Sequence, residues 1–229
     1  LTTGPTGSGK TTTLYAFLKE KNKPHSKLIT IEDPIEYHLE GVEQTQVSKE
    51  DKYTFISGLR SILRQDPDVI MIGEIRDEET AKTAVDAALT GHLVFSTLHT
   101  NDSIGAIPRL IDLGVESSVI GSALNVVIAQ RLIRKLCSNC AEQEDPDEDL
   151  EENIENFLSS IPEERRLKSW KLYKNKECNG CLGGFSGRVG IFELFEVDQK
   201  MTEVLDEANK NESIINKIKK TTKENKMIS

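Results

Sequence analysis

The chain has 229 residues, with 29 Lys plus Arg against 38 Asp plus Glu, a formal net charge of −9. An acidic protein with only 5% aromatic residues lacks the basic groove and stacking platforms that nucleic-acid motors use, so no nucleic acid is expected among its partners. Its longest stretches free of Asp, Glu, Lys and Arg, Ala87–Asn101 and Ser117–Gln130, fall short of the ~20 apolar residues of a membrane-spanning helix.

Leu1-Thr2-Thr3 runs straight into a glycine-rich loop. The expectation is a piece of a longer protein, cut inside or just after a strand. A helix is expected over Thr12–Lys21, with Leu14, Phe17 and Leu18 at helical spacing, then a short strand over Lys27–Ile31. Thr54–Gln65 places Phe55, Leu59, Ile62 and Leu63 on one helical face, and Val69–Gly73 reads as a buried strand. Asp77–Thr90 opens with three acids and stops at Gly91, the polarity a helix dipole prefers. Leu93–Leu98 is another strand, followed by helical stretches over Asp102–Leu113 and Glu116–Leu136. This alternation indicates an α/β fold with a mainly parallel sheet covered on both faces.

The character changes from Ala141. Glu142–Glu155 holds nine acids and no base, which suggests a solvated, mobile segment inside an insertion. Arg165–Lys176 is basic and carries the one tryptophan, Trp170. A strand is expected over Ile191–Val197, and from Thr202 the tail is lysine-rich with helical propensity.

Gly4-Pro5-Thr6-Gly7-Ser8-Gly9-Lys10-Thr11 fits the pattern GxxxxGK[ST]. Its glycines let the backbone turn tightly, so that several N–H groups converge on phosphate oxygens, and the following helix adds its positive end. Thr12 extends this nucleotide-binding set. Lys10 is expected on the β- and γ-phosphates and the Thr11 hydroxyl on Mg²⁺. A P-loop also needs a carboxylate at the end of a buried strand, and Asp68–Gly73 delivers Glu74 there, suited to polarising a water. A glycine turn before a helix and a helix-capping acid are the plain structural alternatives.

Four cysteines form two CxxC pairs, Cys137/Cys140 and Cys178/Cys181. Two such knuckles supply four thiolates for a structural Zn²⁺ with no open position. The 37 residues between the inner cysteines exceed the usual ~15–20, but closure entropy grows slowly with loop length. Redox pairs or disulfides are the alternatives.

Three further segments, together with the P-loop, resemble signatures of the secretion ATPases that power type II secretion and type IV pilus assembly. Thr30–Tyr37 (TIEDPIEY) is similar to the family's Asp box, Gly73–Asp77 (GEIRD) to its Walker B segment, and Gly91–Asp102 (GHLVFSTLHTND) to its His box. The likeness extends to Gln130-Arg131-Leu132 and to Gly187–Ile191 (GRVGI). It implies a RecA-like P-loop ATPase core over 1–136, a tetracysteine zinc subdomain over 137–181, and a truncated strand and helical segment over 182–229. It also implies that Glu32 sits near Mg²⁺ or the attacking water. Arg60 and Arg64, four apart on one helix, would reach nucleotide across an interface. His99 would sense the γ-phosphate, His92 less so, and Arg188 would approach nucleotide from the C-terminal part.

The function so implied is ATP hydrolysis by a motor subunit that drives assembly of a pilus or a secretion pseudopilus. Expected cofactors are ATP/ADP, Mg²⁺ and Zn²⁺. Expected partners are further copies in a hexameric ring and an inner-membrane platform protein. The expected location is cytoplasmic, on the inner face of the cytoplasmic membrane. The cysteine tetrad resembles assembly and export members more than retraction members. The competing classes are a RecA-like nucleic-acid motor, a small-molecule kinase, and a zinc lobe serving only as an interaction module.

Overall fold

A computed structural model describes residues 1–48, 50, 52–161, 163–207 and 218. The chain divides into two compact units: residues 1–132 with 190–229, and residues 133–189.

In the first unit the elements are β1 (Thr2–Thr3), α1 (Lys10–Lys21), β2 (Leu28–Glu32), β3 (Glu43–Gln46), α2 (Phe55–Leu63), β4 (Val69–Ile72), α3 (Glu78–Leu89) and β5 (Leu93–Leu98). Next come α4 (Ala106–Asp112), α5 (Ser117–Ala123) and β6 (Val126–Leu136), whose last residues enter the second unit. The sheet order is β3-β2-β4-β5-β1-β6, with the later strand β9 (Phe185–Glu196) beyond β6. Every pairing from β3 through β6 is parallel.

Alternation along the strands explains why both faces are covered. Leu28, Val69 and Met71 pack with Leu14, Tyr15 and Leu18 of α1 on one face. Their neighbours Ile29, Ile31, Ile70 and Ile72 pack on the other face with Leu59 and Ile62 of α2, Ala81 and Ala84 of α3, and Ile107 of α4. Helix α2 begins at Thr54, whose side chain accepts from the Ser57 N–H at 3.2 Å while the Ser57 hydroxyl accepts from the Thr54 N–H at 2.8 Å. It lies so close to β2 that a Cβ at Gly58 would stand 2.1 Å from Ile31 Cδ1. Asp77 caps α3 by accepting from the Thr80 N–H at 2.8 Å.

The expected helix over Glu116–Leu136 is corrected. α5 stops at Ala123, and from Val126 the chain is a strand. The β-branched run Val126-Val127-Ile128 stacks beside β1 in the registers Thr2↔Ile128 and Thr3↔Ala129, and that pairing outweighs any helical tendency. β3 (EQTQ) was not expected, because an edge strand without apolar alternation leaves no periodic signal. The short C-terminal helix α7 (Gln199–Glu207) buries Met201 and Leu205 in the core of the first unit. The expected helical continuation of the tail lies outside the described residues, apart from Ile218, which is buried.

In the second unit the acidic run is ordered, contrary to the expected mobile segment. It contains β7 (Glu142–Glu144) and α6 (Glu148–Ser160). Asp147 caps α6 by accepting from the Leu150 N–H at 2.8 Å, and the acids of the first turn suit the helix dipole. β7 pairs antiparallel with β8 (Leu172–Lys174), and Lys174 and Lys176 pair with Glu144 and Glu142. Two of the nine acids of the run thus meet lysines of the basic run across a ribbon. Among the described residues no helix is long and apolar enough to cross a membrane.

Candidate active site

The glycine-rich loop joins β1 to α1 in the middle of the sheet. Gly4, Gly7 and Gly9 all have positive φ (141°, 75° and 88°), conformations open to glycine. At Gly4 there is no room for a side chain either, since a Cβ would meet the Gln130 carbonyl oxygen at 2.4 Å. Thr13 Oγ1 donates to Gln130 Oε1 at 2.8 Å, so β6 supports the loop from beneath.

Lys10 is buried, and its ammonium donates to the carbonyls of Gly4 at 2.8 Å and Pro5 at 3.0 Å. Burial lowers its pKa from the ordinary lysine value, the Glu74 carboxylate opposes that shift, and the Arg131 guanidinium adds to it. Ser8 is buried, and its Oγ finds no hydrogen-bond partner among the described residues. A buried orphan hydroxyl, a turn of left-handed glycines and a lysine satisfied only by carbonyls are the donor set of an anion cradle. Pro5, Thr6, Gly7 and Thr12 are exposed around it, and Thr11 is half-buried at the start of α1.

Glu74 follows β4 and is nearly buried. Its Oε2 pairs with Arg76 Nε at 2.5 Å and lies 3.6 Å from Nε2 of His99, which follows β5. Strand order explains the meeting, because β4 and β5 are parallel neighbours and both residues leave their carboxyl ends. The His99 loop is held in turn by Thr3, whose Oγ1 lies 2.7 Å from Thr100 Oγ1 and accepts from the Thr100 N–H at 2.9 Å. The loop that starts at Gly4 and the loop that carries His99 are therefore tied one residue from each.

Glu32 ends β2, with its Cα against Gly73. Its carboxylate is buried and accepts from three neutral donors: Tyr15 of α1, Thr30 at 2.6 Å and Gln44 of β3 at 3.1 Å. Burial, with the adjacent Glu32 carboxylate, drives the Tyr15 phenol pKa far up. Reading the residues in order did not identify Tyr15, Gln44, Gln130 or Arg131 as site residues, because their signal is tertiary.

The remaining expected residues stand apart. Arg60 pairs with Glu79 of α3 at 2.5 Å, and both side chains are more than half exposed. Arg64 is exposed at the end of α2. His92 caps the end of α3, its Nδ1 3.0 Å from the Ala87 carbonyl oxygen. Arg188 is exposed on the part of β9 that belongs to the second unit.

In that unit the four cysteine sulfurs all lie within 4.8 Å of one another, and none is in a disulfide. Cys137–Cys178, Cys140–Cys181 and Cys178–Cys181 are 4.0, 3.5 and 3.6 Å apart. A tetrahedral thiolate site with bonds of about 2.3 Å has edges of about 3.8 Å, so the cluster fits a zinc ion. The Cys178 N–H donates to Cys181 Sγ and lowers the Cys181 thiol to about 7, whereas desolvation and hydrogen bonds from the other cysteines push Cys140 up.

A family model described as "Type II/IV secretion system protein" matches residues 1–229. The chain belongs to this secretion family. It is 50% identical over 209 residues to the type II secretion system protein E of Aeromonas hydrophila, covering 91% of this chain and 40% of that relative. It is 46% identical over 223 residues to the type II secretion system ATPase E of Vibrio cholerae, covering 97% and 43%. The chain thus spans about two fifths of the length of these curated relatives. Among solved structures it is similar to the pilus retraction motor PilT with bound ADP, at 30% identity and TM-score 0.66, over 100% of this chain and 57% of that one. The ATPase DotB of Legionella pneumophila matches at 25% identity and TM-score 0.63, over 97% and 50%. The α/β architecture with its mostly parallel sheet is therefore the one that secretion-family ATPases share.

Proposed function

We propose that this secretion-family chain binds and hydrolyses ATP as part of a motor subunit, and that the motor drives assembly of a type II secretion pseudopilus or a type IV pilus. The observation that carries this reading is the convergence of a buried Lys10, an anion cradle and the nearly buried Glu74, whose charge acts on Lys10. In this reading Lys10 exchanges its two carbonyl partners for the β- and γ-phosphates of ATP, and Ser8 and the loop amides donate to the same tail. Thr11 and Glu32 are the residues for Mg²⁺ and the water around it, and the ion would neutralise phosphate charge. Glu74 takes the proton of the attacking water, and His99 reports the state of the terminal phosphate to its loop.

Arg60, Arg64 and Arg188 are proposed to act across an interface in a hexameric ring, where exposed arginines of one copy reach nucleotide on another. The chain would work on the cytoplasmic side of the inner membrane against a platform protein, with the zinc-closed unit as a stable surface. Identities of 45–51% to type II secretion proteins support the export or assembly role. The cysteine cluster in the second unit agrees with it. The proposed domain division is an ATPase core, a zinc subdomain between the two cysteine pairs, and a C-terminal strand with helix.

The test is calorimetric titration with Mg·ATP and Mg·ADP, followed by measurement of phosphate release. Saturable uptake of both, with ADP and phosphate as products, is expected. No uptake by folded protein would overturn the reading.

A further inference from the structure

Arg131 on β6 is not explained by packing. It is exposed, and among the described residues it has no carboxylate in ion-pairing range, 4.0 Å. Its Nη2 donates to the Asn101 carbonyl oxygen at 2.7 Å, which holds the side chain against the loop after β5. Its Nη1 stands 3.4 Å from the point where a Gly4 Cβ would be. The registers Thr2↔Ile128 and Thr3↔Ala129 carry β6 forward beside the glycine-rich loop and set the guanidinium there.

Two cations therefore flank Gly4. Lys10 donates to its carbonyl at 2.8 Å, and Arg131 lies on its α-carbon side. Like charges this close repel unless an anion lies with them. Exposed arginines usually find a carboxylate or stay in open solvent, but this one is held by two neutral carbonyls, that of Asn101 and, through Nη1 at 3.4 Å, that of Gln130, and its other N–H donors have no carboxylate to meet among the described residues. A planar fork fixed in this way matches the oxygens of a phosphate.

We propose that Arg131 is a phosphate-binding residue that takes an oxygen of the terminal phosphate of a nucleoside triphosphate and, through Asn101, couples that phosphate to the loop carrying His99. The proposal rests on the nucleotide-site reading above and adds to it a route of communication. The tether to Asn101 reaches the loop two residues from His99, while Thr3 holds the same loop at Thr100. Loss of the terminal phosphate would release the guanidinium to its carbonyl partners alone, so the loop would feel the difference between triphosphate and diphosphate.

The experiment compares Mg·ADP with a non-hydrolysable Mg·ATP analogue by calorimetry, using the unaltered chain and Arg131→Gln and Arg131→Lys variants. Arg131→Gln should weaken triphosphate binding about tenfold or more and change diphosphate binding less than about threefold. Arg131→Lys, which keeps the charge and loses the fork, should fall between the two, and it carries the comparison if the Gln variant does not fold. Triphosphate affinity unchanged in both variants overturns the proposal. So does equal weakening of both nucleotides, because that marks a role in holding the loop. If the unaltered chain binds neither nucleotide, the nucleotide-site reading itself falls, an outcome distinct from either.

Discussion

Oε2 of Glu74 and Nε2 of His99 face each other at 3.6 Å across the ends of two parallel strands. They lie 25 positions apart in the sequence, and the β4–β5 register brings them together. The same carboxylate is engaged by Arg76.

Glu74→Gln is isosteric and removes the proposed base. Nucleotide affinity should stay within about threefold, and phosphate release should fall by roughly 100-fold or more, in line with the loss of a general base. Parallel titration and turnover measurements check it. Turnover near that of the unaltered chain would remove Glu74 from its assigned role.

Lys10→Ala leaves the carbonyls of Gly4 and Pro5 without their donor and removes the proposed charge partner of phosphate. Binding of Mg·ATP and Mg·ADP should both weaken by about 100-fold or more. A thermal melt on the same variant separates lost binding from lost fold.

Tyr15→Phe deletes one of three donors to a buried carboxylate. Stability should drop by about 1.5–3 kcal/mol, because the hydrogen bond serves a charged acceptor. Denaturant unfolding measures it. A Gln44→Ala variant should show a similar fall, while Tyr37→Phe, whose ring meets Tyr15 edge-on at 4.7 Å, should be nearly neutral.

Gly58→Ala tests how closely α2 lies on β2. The added methyl would stand 2.1 Å from Ile31 Cδ1 and 2.7 Å from the Tyr53 hydroxyl, and displacing these packed side chains costs about 1–3 kcal/mol. Unfolding midpoints should show that loss even though alanine is the better helix former.

Metal analysis of protein purified under reducing conditions should give one zinc per chain. A chelator should release it, and Cys137→Ser should lower retention, since the buried member of the cluster cannot be replaced by solvent. Nucleotide binding in the first unit should be unaffected.

What the sequence revealed and what it hid follow from the range of the interactions involved. The glycine loop, Lys10, Glu74 and the cysteine pairs are short patterns with fixed chemistry; Lys10 folds back onto the loop carbonyls in the first unit, and the four sulfurs cluster in the second. β6 was misread because a helix and a β-branched strand are both apolar runs, and its partner β1 lies more than a hundred residues earlier. The acidic segment is solvated, as its charge pattern indicates, but that pattern hides the two lysine pairs and the Asp147 cap that give it a strand and a helix. Gln44 carries no local signature, and the likeness at Gln130-Arg131-Leu132 names no contact for the Gln130 or Arg131 side chain. Their roles come from strand order alone.

The cysteine cluster has a practical consequence. Cys137 and Cys178 meet at 4.0 Å and Cys140 and Cys181 at 3.5 Å, so the peptide from 141 to 177 leaves and returns through one metal-sized clasp. A short linker, a fluorophore or an affinity handle inserted there would enter and leave the fold at the same clasp.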